Sequence, residues 1–227
     1  MRIVAWPCPA PGGKGEEFAL LAGPEDAAAR ILIVPALFEE ANRTRRLLAQ
    51  TMRALAGHGV ASVLPDLPGC GESLSPLERQ HLASWRRAMA SAARHFATTY
   101  VLTVRGGAGV APRSGPGWRF EPVAARSQLG TLLRSRILAA GEDGRAETTA
   151  RLLDEGRERG IELAGYRLGA RMVTALEEAA RLPTSSKRVT LTLAELGGAP
   201  LWRNAEPGED PGLAAALAAR IAKDCGP

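Results

Sequence analysis

The chain has 227 residues, a formal net charge of +5 and three cysteines, a length that suits a single domain with one sizeable core. Nearly all of its basic residues are arginine, with lysine only at positions 14, 187 and 223. The arginines are scattered among Asp and Glu with few aromatics to stack on bases, which argues against a nucleic-acid groove and for a mixed-sign solvated surface.

No run of about 18 apolar residues exists, and MRIVAWPCPAPGG lacks the basic start and continuous apolar run of a secretory leader. A cytoplasmic protein without a membrane span is expected. Cys8, Cys70 and Cys225 lie far apart with no C-x-x-C pair, so they read as reduced thiols; neither a disulfide framework, a metal site nor a cofactor is expected.

Residues 1–29 form a Pro/Gly-rich segment in which EEFALLAG is a candidate short strand, and the organised part is expected to begin at Arg30. ILIVP at 31–35 reads as a strand buried on both faces and stopped by Pro35. Leu47, Leu48, Met52, Leu55 and Ala56 then share one helical face, closed by Gly57 and Gly59. VASVL at 60–64 completes a strand, helix, strand unit of the kind that builds parallel sheets.

A second helix is expected over 77–97, where Leu77, Leu82, Trp85, Met89, Ala92, Ala93 and Phe96 recur at three- and four-residue intervals. YVLTV at 100–104 is the third strand, GWRFEPV at 117–123 a candidate fourth, and SQLGTLLRSRILAA at 127–140 a helix. The polar stretch 141–160 reads as an exposed helical or loop insertion. IELAGY and RVTLTLAEL read as two late strands with a helix between them, and LAAALAARIAKD as a last helix. The alternation predicts a doubly wound α/β fold, a mostly parallel sheet with helices on both faces and ligand space at the carboxyl ends of its strands.

PDLPGCGES at 65–73 makes a tight polar turn after the second strand, with glycines free to take positive φ and Ser73 able to hold the backbone. It resembles the loop after the fourth strand of α/β-hydrolase proteins. The longer run from ILIVPALFEEANR to LPDLPGCGES, residues 31–73, is similar to the N-terminal signature of hydrolases associated with the exosortase A system, and GWRFEPV, LLRSRILAA and IELAGY fit later segments of that family. The resemblance covers about residues 30 to 166. It implies an α/β-hydrolase fold, an oxyanion loop at PALFEEANR (35–43), a nucleophile turn after YVLTV, and a role in exopolysaccharide production or protein sorting, with a protein of that system as partner.

The chain departs from this pattern where the chemistry should be. A nucleophile elbow presents a side chain on a sharp strand-to-helix turn, and the next backbone N–H helps bind the oxyanion. Here the turn holds Arg105, Gly106 and Gly107, and either Arg105 or Gly107 takes the apex according to register. VAPRSGPG then puts prolines and glycines where the helix should continue. In that fold the triad runs Ser, Asp or Glu, then His, but His58, His81 and His95 all precede the turn. These residues predict a degenerate turn, a pseudoenzyme, and no intact serine triad.

Two weak catalytic candidates are left for an alternative reading as an esterase or acyl hydrolase: Cys70, beside acidic Asp66 and Glu72 that oppose thiolate formation, and Ser114, without a downstream imidazole. His58 suits a helix cap, and His81 and His95 lie too far apart to share a ligand. Phe38, Glu39, Glu40, Asp66 and Ser73 form a candidate pocket at the strand ends, where Glu39, Glu40 and nearby arginines could meet a small polar, anionic or sugar-like ligand; local Glu/Arg pairing is the plainer expectation.

Overall fold

The computed structural model describes residues 1–10, 13–184 and 186–226. Nine strands are found among them: β1 (Arg2–Ala10), β2 (Gly13–Ala22), β3 (Arg30–Val34), β4 (Ala61–Pro65), β5 (Tyr100–Val104), β6 (Gly117–Phe120), β7 (Ile161–Leu163), β8 (Tyr166–Leu168) and β9 (Arg188–Leu191). The helices are α1 (Glu39–Gly57), α2 (Leu82–His95), α3 (Ala125–Glu142), α4 (Thr149–Arg159), α5 (Ala170–Glu178), the short α6 (Leu193–Leu196) and α7 (Pro211–Cys225). Seven strands form the main sheet in the order β1-β2-β4-β3-β5-β6-β9, antiparallel at β1, β2 and β4 and parallel from β4 to β9.

The sheet is covered on both faces because its central strands are apolar at nearly every position, with Ser62 and Thr103 as buried exceptions. Ile31 and Ile33 of β3 face α1 and α7, where Leu47, Leu48, Met52, Leu55, Leu217 and Ile221 pack. Leu32 and Val34, pointing the other way, meet Trp85 and Met89 of α2, Leu129 and Leu132 of α3, and Met172 of α5. Each large apolar side chain sealed in this way contributes about 1.5–3 kcal/mol.

Organised structure begins well before Arg30. β1 and β2 pair along their whole length, Arg2 opposite Leu21 and Ala10 opposite Gly13. Proline is tolerated in β1 because β1 is an edge strand, free to leave one side of its backbone unbonded. Pro7 and Pro9 alternate with the buried Trp6 and Cys8.

Three further expectations are corrected. IEL does not join the main sheet but pairs with YRL as a separate hairpin, β7–β8, around the two-residue turn Ala164-Gly165, both at positive φ (49° and 81°). RVTLTLAEL is a strand only to Leu191. Glu195 accepts from the Thr192 N–H (2.9 Å) and Oγ1 (3.0 Å), a capping box that starts α6. The helix expected at 77–97 begins at Leu82, with His81 as its N-cap: the Ser84 N–H donates to His81 Nδ1 and the His81 N–H to Ser84 Oγ. In the polar 141–160 stretch, α3 runs on to Glu142, and α4 is anchored to the core by the buried Leu152.

The connection that matters most is the shortest of those that join parallel strands of the sheet. β5 and β6 are parallel neighbours, joined only by residues 105–116, which hold one 3₁₀ turn (Arg105–Gly109) and no α-helix. Parallel strands are usually joined through a helix.

Candidate functional site

Four chain reversals meet at the carboxyl ends of β3 to β6, and three of them use a non-glycine residue at positive φ: Phe38 (54°) after β3, Arg105 (52°) after β5 and Glu121 (45°) after β6. Such residues cost about 1–3 kcal/mol each and persist where their surroundings fix them. Arg105 is thereby the apex of the turn. Gly107, the other apex expected from the sequence, instead lies flat against the end of β3, where a Cβ would run into the Pro35 carbonyl oxygen and come within 2.9 Å of the Val34 oxygen. This is the close approach that the last glycine of an elbow provides.

The Arg105 side chain is held on every side. Nε and Nη2 donate to Glu40 Oε2 (3.2 Å) and Oε1 (3.1 Å), Nη1 donates to the Glu121 carbonyl (3.0 Å), and the guanidinium lies 4.3 Å over the Trp202 ring. Both members of the pair are only 13–14% exposed. Glu121 in turn accepts from the Leu193 N–H (2.8 Å) through its carboxylate. Glu39 accepts from Arg43 one helical turn on (3.0 Å), and Arg43 also reaches the Trp202 carbonyl (3.1 Å). Glu39 therefore pairs locally with Arg43, whereas Glu40 pairs across the fold with Arg105, 65 residues further along the chain.

A cavity of about 410 Å³ opens beside this cluster, walled by Phe38, Arg45, Asp66, Cys70, Tyr166 and Arg167 together with apolar residues of the segment after β3, of β4 and of α1. Of the pocket residues expected from sequence, Phe38 and Asp66 line it; Glu39, Glu40 and Ser73 do not. Asp66 is buried, accepts from Arg45 Nη1 (3.0 Å) at one oxygen and from the Glu72 N–H (3.3 Å) at the other. Ser73 ties the loop, its Oγ accepting from the backbone of Gly69 (2.7 Å) and Ser75 (3.2 Å). Phe38 packs at 5.6 Å from the Trp85 ring and edge-on at 5.4 Å to Tyr166.

Tyr166 reaches the cavity because the β7–β8 hairpin is free of the main sheet, and sequence reasoning, which placed IELAGY in that sheet, missed it. The signal was the dipeptide Ala164-Gly165 between two short β-prone runs. Trp202 and Glu121 carried no signal at all, since only the fold brings them to Arg105.

The weak nucleophile candidates are placed apart. Cys70 lines the cavity, where burial first, then the nearby Asp66 and Glu17 carboxylates, push its thiol up to about 12. Ser114 is exposed in the crossover loop just before β6, at the opposite end of the strands from Arg105, and its carbonyl accepts from Arg188 (2.9 Å). The histidines serve elsewhere. His58 is the C-cap residue of α1. His81, its pKa lowered by burial and by Arg87 and Arg171, accepts at the start of α2. His95 stacks edge-on with Phe96 at 4.6 Å.

No family model matches this chain. No curated protein matches it in sequence. Similar solved structures exist. The esterase domain of a Rhodothermus marinus protein superposes with a TM-score of 0.55 over 98% of this chain and 99% of that one at 15% identity. Alpha/beta hydrolase domain-containing protein 10 from mouse gives 0.52 over 85% and 77% at 14% identity. Est1E from Butyrivibrio proteoclasticus gives 0.52 over 83% and 76% at 14% identity. Together with the strand order and the sharp turn after β5, these likenesses show that the chain has the α/β-hydrolase fold.

Proposed function

We propose that this chain is a non-catalytic member of the α/β-hydrolase fold that binds a small ligand in the cavity between Phe38, Asp66 and Tyr166. The observation that carries this reading is Arg105: it holds the strained apex where the fold presents a nucleophile, and its side chain is engaged by Glu40, Glu121 and Trp202. A guanidinium stays protonated and does not attack a carbonyl. The cavity offers two aromatic faces beside an Arg45–Asp66 pair, a chemistry that suits a sugar-like group carrying hydroxyls. The resemblance of residues 31–73 to exosortase-A-associated hydrolases supports placing this binding role in exopolysaccharide production or protein sorting, in the cytoplasm, as an accessory to a protein of that system.

The competing reading, an esterase using Cys70 or Ser114, is separated by one experiment. The purified chain is exposed to a fluorophosphonate probe and to iodoacetamide, and p-nitrophenyl acetate turnover is followed between pH 7 and 11. The expected result is no fluorophosphonate labelling, no turnover above buffer, and slow alkylation of Cys70 that climbs through the alkaline range, because a thiol with pKa near 12 supplies almost no thiolate at neutral pH. The folded thiol holds its proton more tightly than the unfolded one, so stability contributed by the neutral thiol is complete below about pH 9 and is lost as pH rises toward 12. Saturable turnover abolished by Cys70→Ala or Ser114→Ala would establish the enzyme instead.

A further inference from the structure

A second hollow, of about 330 Å³, lies where the missing crossover helix would have covered β6. Its wall is formed by Arg86 of α2, Ala108, Ala111, Pro112 and Arg113 of the crossover, Arg119 of β6, and Pro183, Thr184 and Arg188 at the entry to β9. Four arginines from four separate parts of the chain thus line one space, and among the described residues no carboxylate lines it. None of the four forms an ion pair among the described residues.

Their partners are backbone carbonyls. Arg188, only 8% exposed, donates to Pro112 (2.6 Å), Ser114 (2.9 Å) and Gly115 (3.3 Å). Arg119 donates to Pro183 (3.1 Å) and to Arg188 (3.3 Å), while its Nε is buried with no acceptor. Arg86 donates to Gly109 (2.7 Å), and Arg113 is exposed at the rim. Carbonyls satisfy donors but do not neutralise charge, and a buried guanidinium without a counter-charge is costly. Burial and mutual repulsion, Arg113 on Arg86 and Arg119 on Arg188, already lower the pKa of Arg86 and Arg188.

We propose that this hollow is an oxyanion site that takes the phosphate group of a soluble phosphomonoester or free inorganic phosphate. Two observations converge on that chemistry: concentrated positive charge with no acid among the described lining residues, and a concave space larger than the ion itself. Planar guanidinium forks match tetrahedral oxyanions with paired N–H donors, which is why arginine clusters recur at such sites. The short crossover is what creates the site, since a full helix after the turn would fill it.

The test is calorimetric titration of the purified chain with inorganic phosphate and, separately, glycerol 3-phosphate, at constant ionic strength made up with sodium chloride. Saturable binding of either is expected, the tighter of the two identifying the free ion or the ester as the natural ligand. Arg113→Ala and Arg86→Gln should each weaken it about tenfold, as loss of one charge-assisted contact does, and Arg159→Ala, an exposed α4 position paired with Glu155, should leave it unchanged. Arg113 makes no hydrogen bond among the described residues, so its variant keeps the test sound if Arg86→Gln fails to fold. The proposal is overturned if neither probe binds saturably, if Arg113→Ala binds as tightly as the parent chain, or if only phosphatidate-bearing vesicles retain the protein.

Discussion

Two arginine-rich regions lie at either end of the β5–β6 connection, and they are built on opposite principles. At the carboxyl end, Arg105, Arg43 and Arg45 each meet a carboxylate, Glu40, Glu39 and Asp66. At the other end, Arg86, Arg119 and Arg188 meet only carbonyl oxygens. The first region is electrostatically complete: its charges pair with one another and hold the chain reversals, and the cavity beside them is left to a neutral, hydroxyl-bearing group. The second lacks its negative partner, so the same residue type there is available to an anion. A positive residue at a strand end therefore says little by itself, and the sign of what surrounds it decides whether it can take an anion.

The largest effect is expected from breaking the complete region at its backbone. Gly107→Ala places a Cβ against the Pro35 carbonyl and within 2.9 Å of the Val34 oxygen, both on the rigid end of β3. Backbone cannot yield as a flexible side chain does, so destabilisation of about 3 kcal/mol or more is expected by urea denaturation, if the variant folds at all. An effect below about 1 kcal/mol would mean that the turn is free to move away from β3, and that Arg105 is not locked at the apex.

A smaller effect, and one that converts the first region into a likeness of the second, is expected from Glu40→Gln. It leaves Arg105, 13% exposed, with a carbonyl and the Trp202 ring but no opposite charge. Removing one member of a largely buried pair strands the other, and about 2–3 kcal/mol of destabilisation is expected. Arg105→Met with Glu40→Gln should recover part of that loss, because neither charge is then left behind. A double variant as unstable as the sum of the single ones would show that the two side chains act independently.

Much of this frame was legible in the sequence because it rests on local patterns. ILIVP, YVLTV and the periodic leucines of α1 announce buried strands and a packed helix without reference to anything distant, and they occupy the expected positions. The turn after β5 was also legible, as a short glycine-rich stop followed by prolines. The N-terminal hairpin was not, since Pro7, Pro9, Gly13 and Gly15 read as loop residues, and only the position of β1 at the sheet edge makes prolines acceptable there. The basic hollow was invisible for a different reason. Its arginines lie at positions 86, 113, 119 and 188, each in the sequence one more member of a scattered set. What assembles them is a crossover too short to carry a helix. Arg119, between the buried Trp118 and Phe120, was the nearest thing to a local sign, because strand alternation turns it toward the face opposite those aromatics.

The smallest effect is expected from the converse change, which gives the hollow the negative partner it lacks. Arg113→Glu sets a carboxylate at the rim, near enough to Arg86 for the present Arg113 to lower the pKa of that residue by repulsion. Like-charge repulsion is exchanged for attraction, but Arg113 is exposed, and water and salt screen most of the gain. A stabilisation of about 0.5–1 kcal/mol at low ionic strength is expected, shrinking toward zero near 1 M salt, where the screening length falls to about 3 Å. Arg113→Ala, which only removes repulsion, should lie between the two. Urea midpoints at low and high salt check the series. If Arg113→Glu destabilises the fold at low salt, the hollow already contains a compensating charge, and the contrast between a complete and an incomplete arginine cluster fails.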